Sequence, residues 1–131
     1  MFSKVRDRIV IGPPQEKSAE RDRYVVSRMQ ADIRKHPQGK PFFGFVFLDS
    51  PHAPYHLPKD YRSPFQPMAQ DVNFLNLGPD HDPTPEFNRY RAAVHYSDAL
   101  IGELLQTLTK SPLAKNTVVL ITGDHGEEFN D

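Results

Sequence analysis

Two unbroken apolar runs, Phe42–Leu48 (FFGFVFL) and Val118–Thr122 (VVLIT), limit the folds open to this chain more than any other feature. A run without polar alternation suits a strand covered on both faces, as in a parallel sheet. Between the runs lies the clearest helical pattern. Thr84-Pro85-Glu86 reads as N-cap, N1 proline and acidic first turn, and Phe87, Tyr90, Val94, Ile101, Leu104, Leu105 and Leu108 fall on one face. The spacing predicts a helix over Glu86–Thr109, stopped by Ser111-Pro112. An earlier helix is predicted from Ser18 to about residue 36, with Ser18 as cap, a stripe of Val25, Met29 and Ile33, and His36-Pro37 with Gly39 as the stop. Arg8–Ile11 suits a short strand. Strand, helix and strand in this order make a βαβ unit with adjacent parallel strands and a right-handed crossover, so the expected fold class is α/β with a parallel sheet.

With 131 residues the chain suits one domain with a modest core. Sixteen basic and seventeen acidic residues form no charged block, which gives no case for a nucleic-acid partner. The absence of cysteine excludes disulfides and thiolate metal sites. Phe42–Leu48 is far too short to span a bilayer and no signal peptide is evident, so the chain itself is expected to be soluble. Residues 49–84 hold seven of the thirteen prolines and no clear periodicity. A connection of that length is usually functional or disordered.

In the predicted topology both strands end on one edge of the sheet, where open α/β sheets place their ligands. After the first strand comes Asp49-Ser50-Pro51-His52-Ala53-Pro54-Tyr55-His56, and after the second Gly123-Asp124-His125-Gly126-Glu127-Glu128. Imidazoles and carboxylates are the ligand types of Zn²⁺, Mn²⁺ and related ions. Taken singly, each has a plainer reading. Asp124 fits an Asx turn, Glu127-Glu128 a helix cap, His52 an ordinary loop histidine, and Asp49 a strand cap.

The segment TVVLITGDHGEEFND resembles the metal-binding strand and turn of the alkaline phosphatase superfamily, in its sulfatase and phosphoethanolamine-transferase branch. FFGFVFLDSPHAPY resembles the earlier strand and His-x-Pro loop, and NRYRAAVHYSDALIGELLQTL the helix between them. The resemblance covers about residues 38–131, leaves 1–37 without a counterpart, and is nearest to the inner-membrane sulfatase-like proteins of Gram-negative bacteria (YejM type). It implies that Asp124 and His125 are adjacent ligands of a divalent ion (Mn, Zn, Mg or Ca). It implies that His52 contacts the phosphate or sulfate of the substrate or assists the leaving group.

By the same resemblance, the upstream strand with the nucleophilic Thr or Ser and its metal-binding acid is missing, and so is a further downstream histidine. Residues 1–131 are therefore expected to be a partial sulfatase-like domain, inactive by itself. The intact parent would be a metal-dependent hydrolase or transferase of phosphate or sulfate esters, a lipid head group among them, held at the inner membrane and facing the periplasm. The alternative is a non-catalytic relative that binds lipid or protein partners and regulates lipopolysaccharide or envelope lipid. Lys59, Arg62, Arg89 and Arg91 could supply positive charge to a phosphate near the sheet edge, but they read more readily as solvated surface charge. Calorimetric titration of the chain with Mn²⁺ and Zn²⁺ is expected to show weak binding or none, since two or three ligands do not close a coordination sphere. Tight stoichiometric binding would show that the site is already complete.

Overall fold

Helix α1 spans Ser18–Lys35 in the computed structural model, which describes residues 10–14, 16–73, 78 and 80–129. Its inward residues are Ala19, Asp22, Val26 and Ile33, with Met29 partly buried. The stripe is thus turned from the predicted one: Val26, at 1% exposure, takes the place expected for Val25. Ser18 is the first helical residue and not the cap; Lys17 is the N-cap and makes no side-chain cap. The Ser18 hydroxyl is drawn instead to His56 Nδ1 at 3.1 Å. At the other end His36 donates its N–H to Ile33 O, and Arg34 and Lys35 meet the negative end of the helix dipole. Gly39 follows with φ +79°, a left-handed conformation that costs glycine little.

Helix α2 spans Thr84–Thr109. Pro83 is its N-cap, and Asp82 Oδ1 accepts both the Thr84 N–H (3.0 Å) and the Thr84 hydroxyl (2.6 Å). A side chain two residues earlier than expected therefore does the capping. The buried face carries Ala92, Ala93, Tyr96, Ser97, Leu100 and Leu108. Phe87 and Val94, predicted on that face, are 42% and 40% exposed. Leu104 and Leu108 belong to both candidate stripes, so periodicity does not choose between them; packing does. α1 lies against α2, with Ala19 and Val26 meeting Tyr96 and Leu100, and the Tyr96 hydroxyl donates to Ala19 O at 3.1 Å. Arg23 and Glu103 bridge the helices at 2.5 Å, but both are about half exposed and contribute little.

Among the described residues three apolar clusters line this pair. Ala19, Val26, Tyr96 and Leu100 form the first; Ile33, Leu108 and Leu113 form the second, beside the 3-10 turn Ala114–Asn116. Tyr55, Val72 and Ala93 form the third, which lies under the long connection. That connection has no helix among its described residues and is held by side chains of both helices.

Among the described residues no β-ladder forms, and neither 42–48 nor 118–122 is a strand. The expected parallel pairing is therefore not seen among the described residues. Exposure along 42–48 nevertheless alternates with period two. Val46 and Leu48 pack on the helices, and a Cβ built on Gly44 would stand 3.0 Å from Met29. Phe43, Phe45 and Phe47 point outward, Phe43 being 91% exposed. Val118 to Ile121 are exposed as well. Of the short strand predicted at Arg8–Ile11, Arg8 and Ile9 lie outside the described residues. No described helix is long and apolar enough to cross a membrane.

Leu100→Ala is expected to cost about 2–5 kcal/mol of stability, because Leu100 is fully buried between the helices. Val94→Ala, on the exposed face, is expected to stay within about 0.5 kcal/mol. Urea denaturation of the two variants checks the orientation of α2.

Candidate functional site

The segment after Leu48 folds back in two successive turns, with the His52 N–H donating to Asp49 O (3.1 Å) and the Tyr55 N–H to His52 O (2.9 Å). Tyr55 has φ +58°, a left-handed conformation that costs a bulky residue on the order of 1–3 kcal/mol. Full burial of its ring offsets this: it sits edge-on to Tyr90 and touches Phe129, Val72 and Ala93. Burial also pushes the Tyr55 hydroxyl pKa up, and the neighbouring Glu127 carboxylate raises it further.

Both helices hold these turns. From α1, Asp22 accepts the Asp49 N–H (2.9 Å) on Oδ1, and the Ser50 N–H (2.8 Å) and hydroxyl (2.5 Å) on Oδ2. Arg21 pairs with Asp49 at 2.6 Å, and Ser18 meets His56. From α2, Arg89 donates through Nε to Pro54 O (3.1 Å) and through a terminal nitrogen to Ala69 O (3.0 Å). Burial lowers the Arg89 pKa. Arg89 is thus a fastening, not the solvated charge expected of it. Arg91 lies 4.1 Å over the Phe65 ring, whereas Lys59 and Arg62 are exposed.

At the apex His52 is exposed, and its Nδ1 bonds Ala53 O at 2.8 Å. A carbonyl only accepts, so Nδ1 carries the proton and Nε2 is the acceptor nitrogen. His125 repeats the device, with Nδ1 donating to Gly126 O at 2.6 Å. That bond, followed by the Asp124 charge, raises the His125 pKa. Asp124 Oδ1 accepts the His125 N–H (3.0 Å), a local bond like that of the plainer turn reading, while Oδ2 lies 3.9 Å from His125 Nε2.

This pair fits a divalent ion. Metal-ligating histidines characteristically spend the second ring nitrogen on a carbonyl or carboxylate. Bonds of roughly 2 Å to one ion would put two donor atoms about 3–3.5 Å apart, closer than the 3.9 Å between Asp124 Oδ2 and His125 Nε2. Among the described residues no group of three His, Cys, Asp or Glu side chains gathers in a metal-holding arrangement.

The structure does bring the two segments together, through Tyr55 and Phe129, to which the sequence assigned no role. Phe129 packs on Tyr55 (6.1 Å), Tyr90 (5.5 Å) and Phe87 (5.2 Å), tying the end of the Gly-Asp-His-Gly segment to the His52 loop and to α2. Asp22 carried no expectation, and Arg89 was expected only as surface charge. Asp22 had a readable signal, since a carboxylate three residues after Ala19 and four before Val26 falls on an apolar stripe, where charge is rare unless partnered.

The family profile described as Sulfatase matches residues 12–131, which takes in α1. Iduronate 2-sulfatase of Mus musculus is 34% identical over 94 residues, covering 66% of this chain and 17% of the relative. Endo-4-O-sulfatase of Bacteroides thetaiotaomicron is 31% identical over 109 residues, covering 79% and 22%. The ulvan-active sulfatase of Formosa agariphila is 31% identical over 90 residues, covering 66% and 17%. The chain therefore spans between 17% and 22% of the length of these relatives. No solved structure matches it.

The His56 beside Ser18 makes the fold sensitive to pH. Burial, then Lys17 and Arg89, lower its pKa below the ordinary 6.5. The unfolded chain therefore takes up this proton at higher pH than the native one. The contribution to stability is complete above about pH 6.5 and declines as pH falls toward the native pKa. Urea midpoints measured from pH 7.5 to 5 are expected to fall more steeply for the natural chain than for His56→Gln; parallel slopes would refute it.

Proposed function

The chain belongs to the sulfatase family, and on that footing we propose that it carries part of the active site of a metal-assisted sulfate-ester hydrolase. The family match over residues 12–131 carries the reading, and the geometry of His125 and His52 supports it. Asp124 and His125 would hold one divalent ion through a carboxylate oxygen and Nε2. When bound, such an ion supplies charge stabilisation to sulfate oxygens and lowers the pKa of a coordinated hydroxyl.

His52 meets the substrate. With its Nδ1 proton held by Ala53 O, Nε2 can take up a proton and deliver it to the leaving alkoxide, or donate to a sulfate oxygen in the protonated form. Glu127 and Phe129 keep the Asp124-His125 turn beside the loop through Tyr55. We propose further that 42–48 and 118–122 are strands of one parallel sheet in the intact domain. In support, 42–48 alternates in exposure and both segments present apolar side chains to solvent, as a face awaiting a second layer would.

The test is turnover by the intact protein of chromogenic aryl sulfate, aryl phosphate and a phospholipid head-group ester. Sulfate is expected to be the preferred substrate. Asp124→Ala and His125→Ala are each expected to lower turnover at least about 100-fold and to reduce bound metal. A preference for either phosphate ester, or metal content unchanged in both variants, would overturn the reading.

A further inference from the structure

We infer that Asp22, on α1, is the positioning residue for His52. This rests on the reading of His52 as the histidine that meets the substrate. Asp22 is only 2% exposed and sits between Ala19 and Val26 on the face that packs against α2. A carboxylate there is costly unless fully hydrogen-bonded. Its three hydrogen bonds go to Asp49 and Ser50, the two residues where the chain leaves 42–48 and enters the His52 turns.

The arrangement defines orientation as well as proximity. One oxygen takes the Asp49 N–H and the other takes both donors of Ser50, which is itself fully buried. A forked acceptor on consecutive residues fixes the peptide plane between them, in the way bidentate pairs fix geometry elsewhere. The carbonyl of Asp49 then accepts the His52 N–H. Two hydrogen bonds thus connect the rigid helix to the backbone of His52. The downstream flank is held separately, by Arg89 on Pro54 O. Both flanks are fixed while the imidazole at the apex stays exposed, as a substrate-binding group requires. An apolar residue at position 22 would serve helix packing as well, and it would leave the Asp49 and Ser50 amides without this acceptor.

Two measurements test the link in the intact protein, with Asp22→Asn as the near-isosteric variant and Ser50→Ala approaching the same contact from the loop side. In the first, amide hydrogen exchange at Asp49, Ser50 and His52 is expected to accelerate at least about 10-fold in Asp22→Asn and less in Ser50→Ala. Amides of α2 between Ala93 and Leu105 should keep their protection. Unchanged exchange at the three loop amides, or equal loss throughout α2, would overturn the inference.

In the second, aryl sulfate turnover and metal content are compared for Asp22→Asn, His52→Ala and the double variant. Metal content should be unchanged, kcat should fall at least about 10-fold in Asp22→Asn, and the double variant should be no worse than His52→Ala alone. A fully additive double variant would overturn the inference. Should His52→Ala prove inert while the loop amides still lose protection in Asp22→Asn, the positioning link stands and the functional reading of His52 falls.

Discussion

Between α1 and α2 the described backbone has neither helix nor ladder to partner its N–H and C=O groups, so local turns and side chains from the two helices supply partners. The buried Asp22 carboxylate is the contact on which the rest turns, since it fixes the point where the chain leaves 42–48. Arg89 holds Pro54 and Ala69, and Asn88 donates to Pro67 O at 2.8 Å. The helices thus act as a frame on which an irregular, proline-rich loop is pinned at intervals. Such fastening suits a loop whose task is to present one side chain, because the positions on either side are immobilised and the apex is left open.

The two histidines of the candidate site show the same economy on separate segments. Each spends Nδ1 on the carbonyl of the residue after it, which sets the tautomer and leaves Nε2 as the lone-pair nitrogen. That is the form a histidine needs both to ligate a metal ion and to exchange a proton with a substrate oxygen. Tyr55 joins the segments. Its unfavourable backbone conformation is held by a ring buried among Tyr90, Phe129 and Val72. Strain of this kind persists only where the surroundings over-determine it.

Phe43, Phe45 and Phe47 form an outward row far more apolar and continuous than scattered surface hydrophobics. On the opposite side Val46 and Leu48 meet α1 and α2. One layer of helices therefore covers one side of this segment. This agrees with a chain that spans about a fifth of the length of its sulfatase relatives, and it is the reason for proposing a sheet whose pairing is not seen among the described residues.

Local chemistry alone settled the two helices, because proline and acidic residues at the start of α2 and an apolar period near four in α1 act over a few residues. It settled the irregular, proline-rich character of the connection, whereas His52, Asp124 and His125 stood out through the resemblance of their segments to sulfatases, each having a plainer reading when taken singly. It did not settle which stripe of each helix faces inward. Val25 yielded to Val26 in α1, and Phe87 and Val94 turned outward in α2, because neighbouring stripes share Leu104 and Leu108 and only contact with the partner helix separates them. Nor did it show Asp22 reaching Asp49, Arg89 reaching Pro54, or Phe129 meeting Tyr55. Those contacts join residues far apart along the chain, and only the packing of α1 on α2 brings them within hydrogen-bonding or van der Waals range.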